Sequence, residues 1–290
     1  MNLAEKLKLI QEGYSLEDIN SGSISLGALV ESYNDDFTSF YESIVADLNH
    51  ISQFNFNIIN ESENRNIIKR FIDWVIEKLR QFKMFIRNLF KKRQEEIVKK
   101  EFSDVKKRVD AGIEFKPFMV SNNLEKIINS PDEAIDILKK VFDQFEEISV
   151  SFMDNAYKGY NDTITPDTDI VKFQAIIWNK ILGNNKIVES NNITESAIDK
   201  LLGKSSIIRI STTTQIENIV RFADKFYTLW EDVNQSLTYY EKQLKQLGEF
   251  ADDGFKIIKL ICETLLQTLP EIIRYVDSNI RRLSIIKKYL

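Results

Sequence analysis

Apolar residues in the last third of the chain alternate spacings of three and four without interruption: Ile216, Ile219, Ala223, Phe226, Trp230, Val233, Leu237, Tyr240, Leu244 and Leu247. The mean spacing of about 3.5 residues places all of them on one narrow helix seam, the pattern of a long helix packed lengthwise on a neighbour. A second line follows at the same period: Phe255, Ile258, Cys262, Leu265, Leu269, Ile272, Val276, Asn279, Leu283, Ile286 and Leu290, with Asn279 its only polar member. The stretch from Gly248 to Gly254 joins the two lines. The pattern predicts a long antiparallel helical hairpin over 206–290, with Trp230 buried opposite Ile272 or Val276. Its Phe, Trp and Tyr side chains are too bulky for a slim two-stranded coil, so further helices must cover it.

Upstream segments have the length and faces to do so. Leu26, Val30, Tyr33, Phe37, Phe40, Ile44, Leu48 and Ile51 form another seam, followed by an Asn-rich stretch. Between Ile67 and Val109, Ile72, Val75, Ile76, Leu79, Phe82, Ile86 and Leu89 define a wide apolar face opposite Lys69, Asp73, Glu77, Arg80, Arg87 and Lys91. The apolar line lapses through residues 91–96 and resumes at Val98, Phe102, Val105 and Val109, so a break or a solvated middle is expected there. Ala111 to Asn123 reads as a connection. Ser130-Pro131-Asp132-Glu133 has the composition of a helix start, with a Ser cap and Pro in the first turn.

Thr165-Pro166-Asp167 is expected to open the next helix, ending at Gly183, and Thr194 to Leu202 a shorter one ending at Gly203. Ile207-Ile208-Arg209-Ile210 is β-branched and extended. Thr214-Gln215-Ile216-Glu217 reads as a capping box, and Pro270 predicts a kink or break near Leu266 to Leu269. Four regions result: an acidic helical one over 1–66, a basic amphipathic helix over 67–110, a middle helical region over 111–205 and the hairpin over 206–290.

Composition strengthens this picture. With 9 Gly and 4 Pro in 290 residues there is little material for tight turns, which favours few, long helices. The expectation is an all-α, elongated multi-helix bundle. The single cysteine, Cys262, lies on the second seam and is expected to be a small buried apolar group. The opening residues from Met1 lack a basic stretch followed by an apolar run, and no uncharged stretch approaches the roughly 18 residues of a membrane span. Neither secretion nor membrane spanning is expected.

Charge is unevenly distributed. Residues 1–64 carry 2 basic and 11 acidic side chains, whereas residues 65–110 carry 15 basic and 7 acidic ones. The acidic segment is one candidate partner for the basic one. The densest basic run supplies Arg80, Lys83, Arg87, Lys91, Lys92 and Arg93 as candidate contacts for a polyanion or a membrane surface. Counterion release on phosphates would use the charges alone, whereas a membrane interface would also use Trp74, Phe82, Phe85 and Phe90. A core helix with a basic rim is the third reading.

Catalytic patterns are missing from the sequence. His50 is the only histidine, which leaves no histidine pair for zinc and no triad of the usual form. Gly183, Gly203, Gly248 and Gly254 are isolated, so no phosphate-cradling loop is formed. Asp35-Asp36, Glu95-Glu96, Glu146-Glu147 and Asp252-Asp253 are adjacent pairs, and neighbours on a helix point about 100° apart, poorly placed to share a proton or a metal. No catalytic residue, metal site or cofactor is expected, and the chain reads as non-enzymatic.

The segment from Asn66 to Arg93, a basic helix rich in Phe and carrying Trp74, resembles a helix of the internal head (core) proteins of large tailed bacteriophages. The resemblance implies a virion protein packaged with the genome, open to ejection into the host, and located in the virion interior or host cytoplasm. It also implies trimming by a maturation protease after a short motif ending in Glu, with which Ser15-Leu16-Glu17 and Leu29-Val30-Glu31 are compatible. Protein partners would be met through helix faces, as copies of the chain or other virion or host proteins, with non-specific DNA contact open. A helical inhibitor or adaptor of a host protein and a pore-forming-like bundle are the alternatives.

Overall fold

The computed structural model describes Ser43, Ala46 and residues 61–112, 114–120, 125–157, 168–183, 192–203, 208–246, 252–283 and 286. The expected helix over 26–51, the acidic segment and His50 lie outside the described residues apart from Ser43 and Ala46, both helical, and the first four residues of α1. The fold is all-α. The elements are α1 (Glu61–Arg93), a π-helical segment (Gln94–Phe102), α2 (Ser103–Asp110), β1 (Phe118–Val120), α3 (Glu125–Asn129), α4 (Pro131–Tyr157), α5 (Ile170–Leu182), α6 (Ile193–Leu202), β2 (Ile208–Ile210), α7 (Thr213–Thr228), α8 (Trp230–Gln246) and α9 (Asp252–Leu283). With 33 residues, α1 spans roughly 50 Å. Among the described residues no helix is long and apolar enough to cross a membrane.

One hydrophobic core runs from Phe71 to Ile286 and joins the basic, middle and C-terminal regions. The apolar face of α1 enters it as expected, with Val75, Leu79, Phe82, Ile86 and Phe90 almost fully buried. The long helix α9 packs on α4, α5 and α6, and α8 packs on α1 and α4. The two arms of the hairpin run antiparallel: Tyr227 hydrogen-bonds Asp277, and Tyr240 lies within electrostatic reach of Cys262. Each arm nonetheless makes its main helix contacts with other elements of the bundle.

Several local expectations are corrected. The first arm is two helices, because the chain turns at Leu229, where Thr228 donates its hydroxyl to the Lys225 carbonyl and competes with the helical ladder. Trp230, expected to be buried, opens α8 in a half-buried position against the core. The capping box belongs to Thr212 and Gln215, two residues before the expected cap: the Thr212 hydroxyl accepts from the Gln215 amide, and the Gln215 side chain accepts from the Thr212 amide. Asp169 caps α5 by accepting from the Lys172 amide, so that helix starts beyond Thr165-Pro166-Asp167, which lie outside the described residues. Pro270 sits inside an unbroken α9, buried in the core.

The lapse after Lys91 is real but is not a break. Buried Ile97 and Phe102 stand five residues apart, a spacing that an α-helix turns to different sides and an i→i+5 ladder brings together. The π-helical segment thereby joins the apolar face of α1 to that of α2, where Val105 and Val109 are buried. The connection expected at Ala111 to Asn123 contains β1, which pairs antiparallel with the extended β2 in the register Phe118↔Ile210, Met119↔Arg209, Val120↔Ile208.

Candidate functional site

The basic run from Lys78 to Gln94 holds seven cationic side chains and no acidic one. The bundle divides these cations between two faces of α1. Lys83 turns toward α8, where its ammonium pairs with Glu241 and donates to Thr238 Oγ1 at 3.3 Å. Arg80 reaches the same carboxylate with Nε at 3.7 Å, and Glu77 on its own helix with Nη1 at 3.8 Å. Glu241 is buried, so both cations serve first to neutralise a carboxylate that the core would otherwise isolate.

Arg93 closes α1 with its side chain turned inward. Its Nε lies 3.4 Å from Asp277 Oδ1 and its Nη1 3.3 Å from Glu96. Tyr227 donates its hydroxyl to the same Asp277 oxygen at 2.8 Å. Burial pushes the Asp277 carboxyl above the usual aspartate range, opposed by the Arg93 charge and the Tyr227 hydrogen bond. The same burial raises the Tyr227 phenol well above its ordinary value, reinforced by the adjacent carboxylate. These three residues bind the end of α1 to both arms of the hairpin.

Arg87, Lys91 and Lys92 point outward and are exposed. The sequence did not single out Lys99 and Lys100: Lys99 pairs with Glu95 four residues before it, and the π-helical segment turns Lys100 to the same side. The cluster shows at exposed Glu95, whose carboxyl is held below its usual range by the Lys99 hydrogen bond, at 2.5 Å, with the charges of Lys91 and Lys100 adding to it. Arg80, Lys83 and Arg93 thus act largely within the fold, and the outward face consists of Arg87, Lys91, Lys92, Lys99 and Lys100.

The aromatic residues that a membrane interface would need are committed elsewhere. Phe82 and Phe90 are buried, the latter tilted against Phe226 and edge-on to Tyr227 with ring centroids 5.2 and 5.7 Å away, while Trp74 and Phe85 pack partly buried against the core. Among the described side chains of this helix, Met84 is the large apolar one left exposed.

Elsewhere, a groove of about 390 Å³ between α4 and α8 is lined by Lys139, Asp143, Glu146, Asp232 and Tyr239. Lys139 pairs with Asp232 at 3.0 Å, and burial raises the Glu146 carboxyl against a hydrogen bond from Ser236. Cys262 is fully buried and its thiol is pushed far above the ordinary range by that burial. Among the described residues no group of His, Cys, Asp and Glu converges in a way that could hold a metal ion.

The counter-charges Glu241 and Asp277 were not picked out from the sequence. A signal was present, because each follows a seam residue, Tyr240 and Val276, and so borders the buried face. No protein-family model, curated protein or solved structure matches this chain.

Proposed function

We propose that this chain is a non-enzymatic assembly protein that meets its partners through helix faces, in the setting of a virion interior. The observation that supports this reading is the division of the basic run. Arg93 with Asp277 and Tyr227, and Lys83 with Glu241, tie α1 to the hairpin by buried polar contacts. Buried pairs of this kind add little net stability, but a wrong register would leave each charge unpaired in the core, and that penalty favours one arrangement. The outward face of α1 is therefore presented by a rigid body with its large aromatic side chains turned away. Exposed Met84 and the half-exposed Arg80 border this face and suit a protein contact. The burial of Phe82 and Phe90 weighs against the membrane-active alternative.

Mass spectrometry of nuclease-treated, gradient-purified particles from the source of this gene tests the proposal. The chain is expected in the particle fraction at many copies per particle. Recovery only from the particle-free fraction of producing cells would replace this reading with that of a host-directed adaptor.

A further inference from the structure

Beyond assembly, the strongest unassigned surface is the outward face spanning α1 and the π-helical segment. Arg87, Lys91, Lys92, Lys99 and Lys100 are exposed along about 20 Å of helix axis, with Glu95 the one exposed acidic side chain among them. Glu96, the neighbouring carboxylate, is engaged by Arg93. Lys99 faces Glu95 at the ordinary spacing of four residues, and the π-helical ladder brings Lys100, one residue further on, round to the same carboxylate while Ile97 and Phe102 stay in the core.

We infer that this face binds the phosphate backbone of duplex nucleic acid without reading its sequence. The chemistry of the patch selects that partner over three others. A protein interface draws its affinity from buried aromatic and apolar anchors, and from residue 87 to residue 100 the exposed side chains are Arg87, Asn88, Lys91, Lys92, Glu95, Lys99 and Lys100, all polar. An anionic membrane would require an apolar face beside the charges, and that face of α1 is spent in the core. Single strands are held by bases stacking on aromatic rings, and no exposed ring lies in the patch. A duplex needs only cations at phosphate spacing on a rigid support, and the planar guanidinium of Arg87 can take one phosphate with two hydrogen bonds.

Arg87, Lys91, Lys99 and Lys100 set against Glu95 correspond to about three neutralised phosphates, hence a slope of log K against log salt near −2.7 for duplex DNA. Binding of the full chain to two unrelated fluorescent duplexes of equal length, followed by anisotropy from 50 to 200 mM KCl, should lose affinity about 40-fold, equally for both sequences. Combining Arg87→Gln and Lys91→Gln should flatten the slope to about −1, and Lys99→Gln with Lys100→Gln should remove close to two units. Lys172→Gln with Lys245→Gln, exposed on other helices, should leave it unchanged. Circular dichroism of each variant checks that the fold is kept.

Three results would overturn the inference: no duplex binding at 50 mM salt, a slope unaltered by substituting Arg87 and Lys91 together, or tighter binding to polyglutamate or anionic vesicles than to duplex. Any of them leaves the assembly proposal standing, because that rests on particle composition.

Discussion

At the scale of single residues, burial decides what each aromatic and each charge contributes. Trp178 is fully enclosed, with its ring edge-on to Phe145 at 6.2 Å, whereas Trp230 is half-exposed. Trp178→Ala should therefore cost ~3–5 kcal/mol in urea denaturation, and Trp230→Ala clearly less. Asp277 is held by Arg93 and Tyr227 away from water, so Asp277→Ala should cost about 2–3 kcal/mol by removing the shared acceptor of Arg93 Nε and the Tyr227 hydroxyl, with Glu96 left as the counter-charge of Arg93. Asp277→Asn keeps an acceptor for Tyr227 and should cost less. The folded-state carboxyl of Asp277 is raised, so its contribution to stability is present at low pH and lost as pH rises past the ordinary aspartate range. The stability deficit of the Asn variant should accordingly widen as pH is lowered from neutral toward that range. A constant deficit in denaturation curves across that interval would contradict the raised value.

At the scale of elements, the joints between helices are built from side chains that the apolar period does not report. The Gln215 side chain accepts from the Ser211 and Thr212 amides and donates to the Arg209 carbonyl, so one residue links β2 to the first turn of α7. Thr212→Ala should lower the melting free energy by ~1 kcal/mol, while Thr214→Ala, one turn position inside the helix, should change it little. The reverse order would move the cap back to the position expected from sequence. That expectation failed by two residues because Thr212, Thr213 and Thr214 are consecutive, and only the extended backbone of Thr212, fixed by the strand before it, has the geometry of a cap. The π-helical segment has a related origin: two α-helical apolar faces out of phase were visible as a lapse at 91–96, but the insertion that realigns them is a response to the core on both sides.

At the scale of the whole molecule, α9 holds the bundle together. It packs on α4, α5 and α6 and carries polar links outward, with Thr268 accepting from Gln174 at 3.1 Å, Glu271 accepting from Thr194 at 2.8 Å and Tyr275 donating to Asp199. These links reach α5 and α6, and the Tyr227–Asp277 bond reaches α7, all from one helix, so the described body should unfold as a unit. Far-ultraviolet circular dichroism and tryptophan fluorescence should give coincident urea transitions with strong helical signal before unfolding. Separate transitions would show that the basic helix and the hairpin are independent. Leu265→Ala, at the centre of α9, should shift both probes together by ~2–5 kcal/mol.

The apolar period and the scarcity of glycine and proline were enough to establish an all-α bundle, the inward face of the basic helix, the long C-terminal helix α9, and the helix ends at Gly183 and Gly203. Those are local properties: a period names the buried side of a helix, and a glycine with positive φ ends one. A period does not say which helix lies on the other side, since two seams with the same spacing are interchangeable in the chain. Only the packed bundle decided that α9 meets α4, α5 and α6, and that residues 118–120 pair with 208–210 across about ninety positions. The same holds for charge. Six cations looked alike along the sequence, and it was the distance to Glu241 and Asp277 that turned Arg80, Lys83 and Arg93 to internal use and left Arg87, Lys91 and Lys92 facing solvent. Ion pairing depends on separation in space, and buried carboxylates far along the chain supply it only once the helices have closed around them.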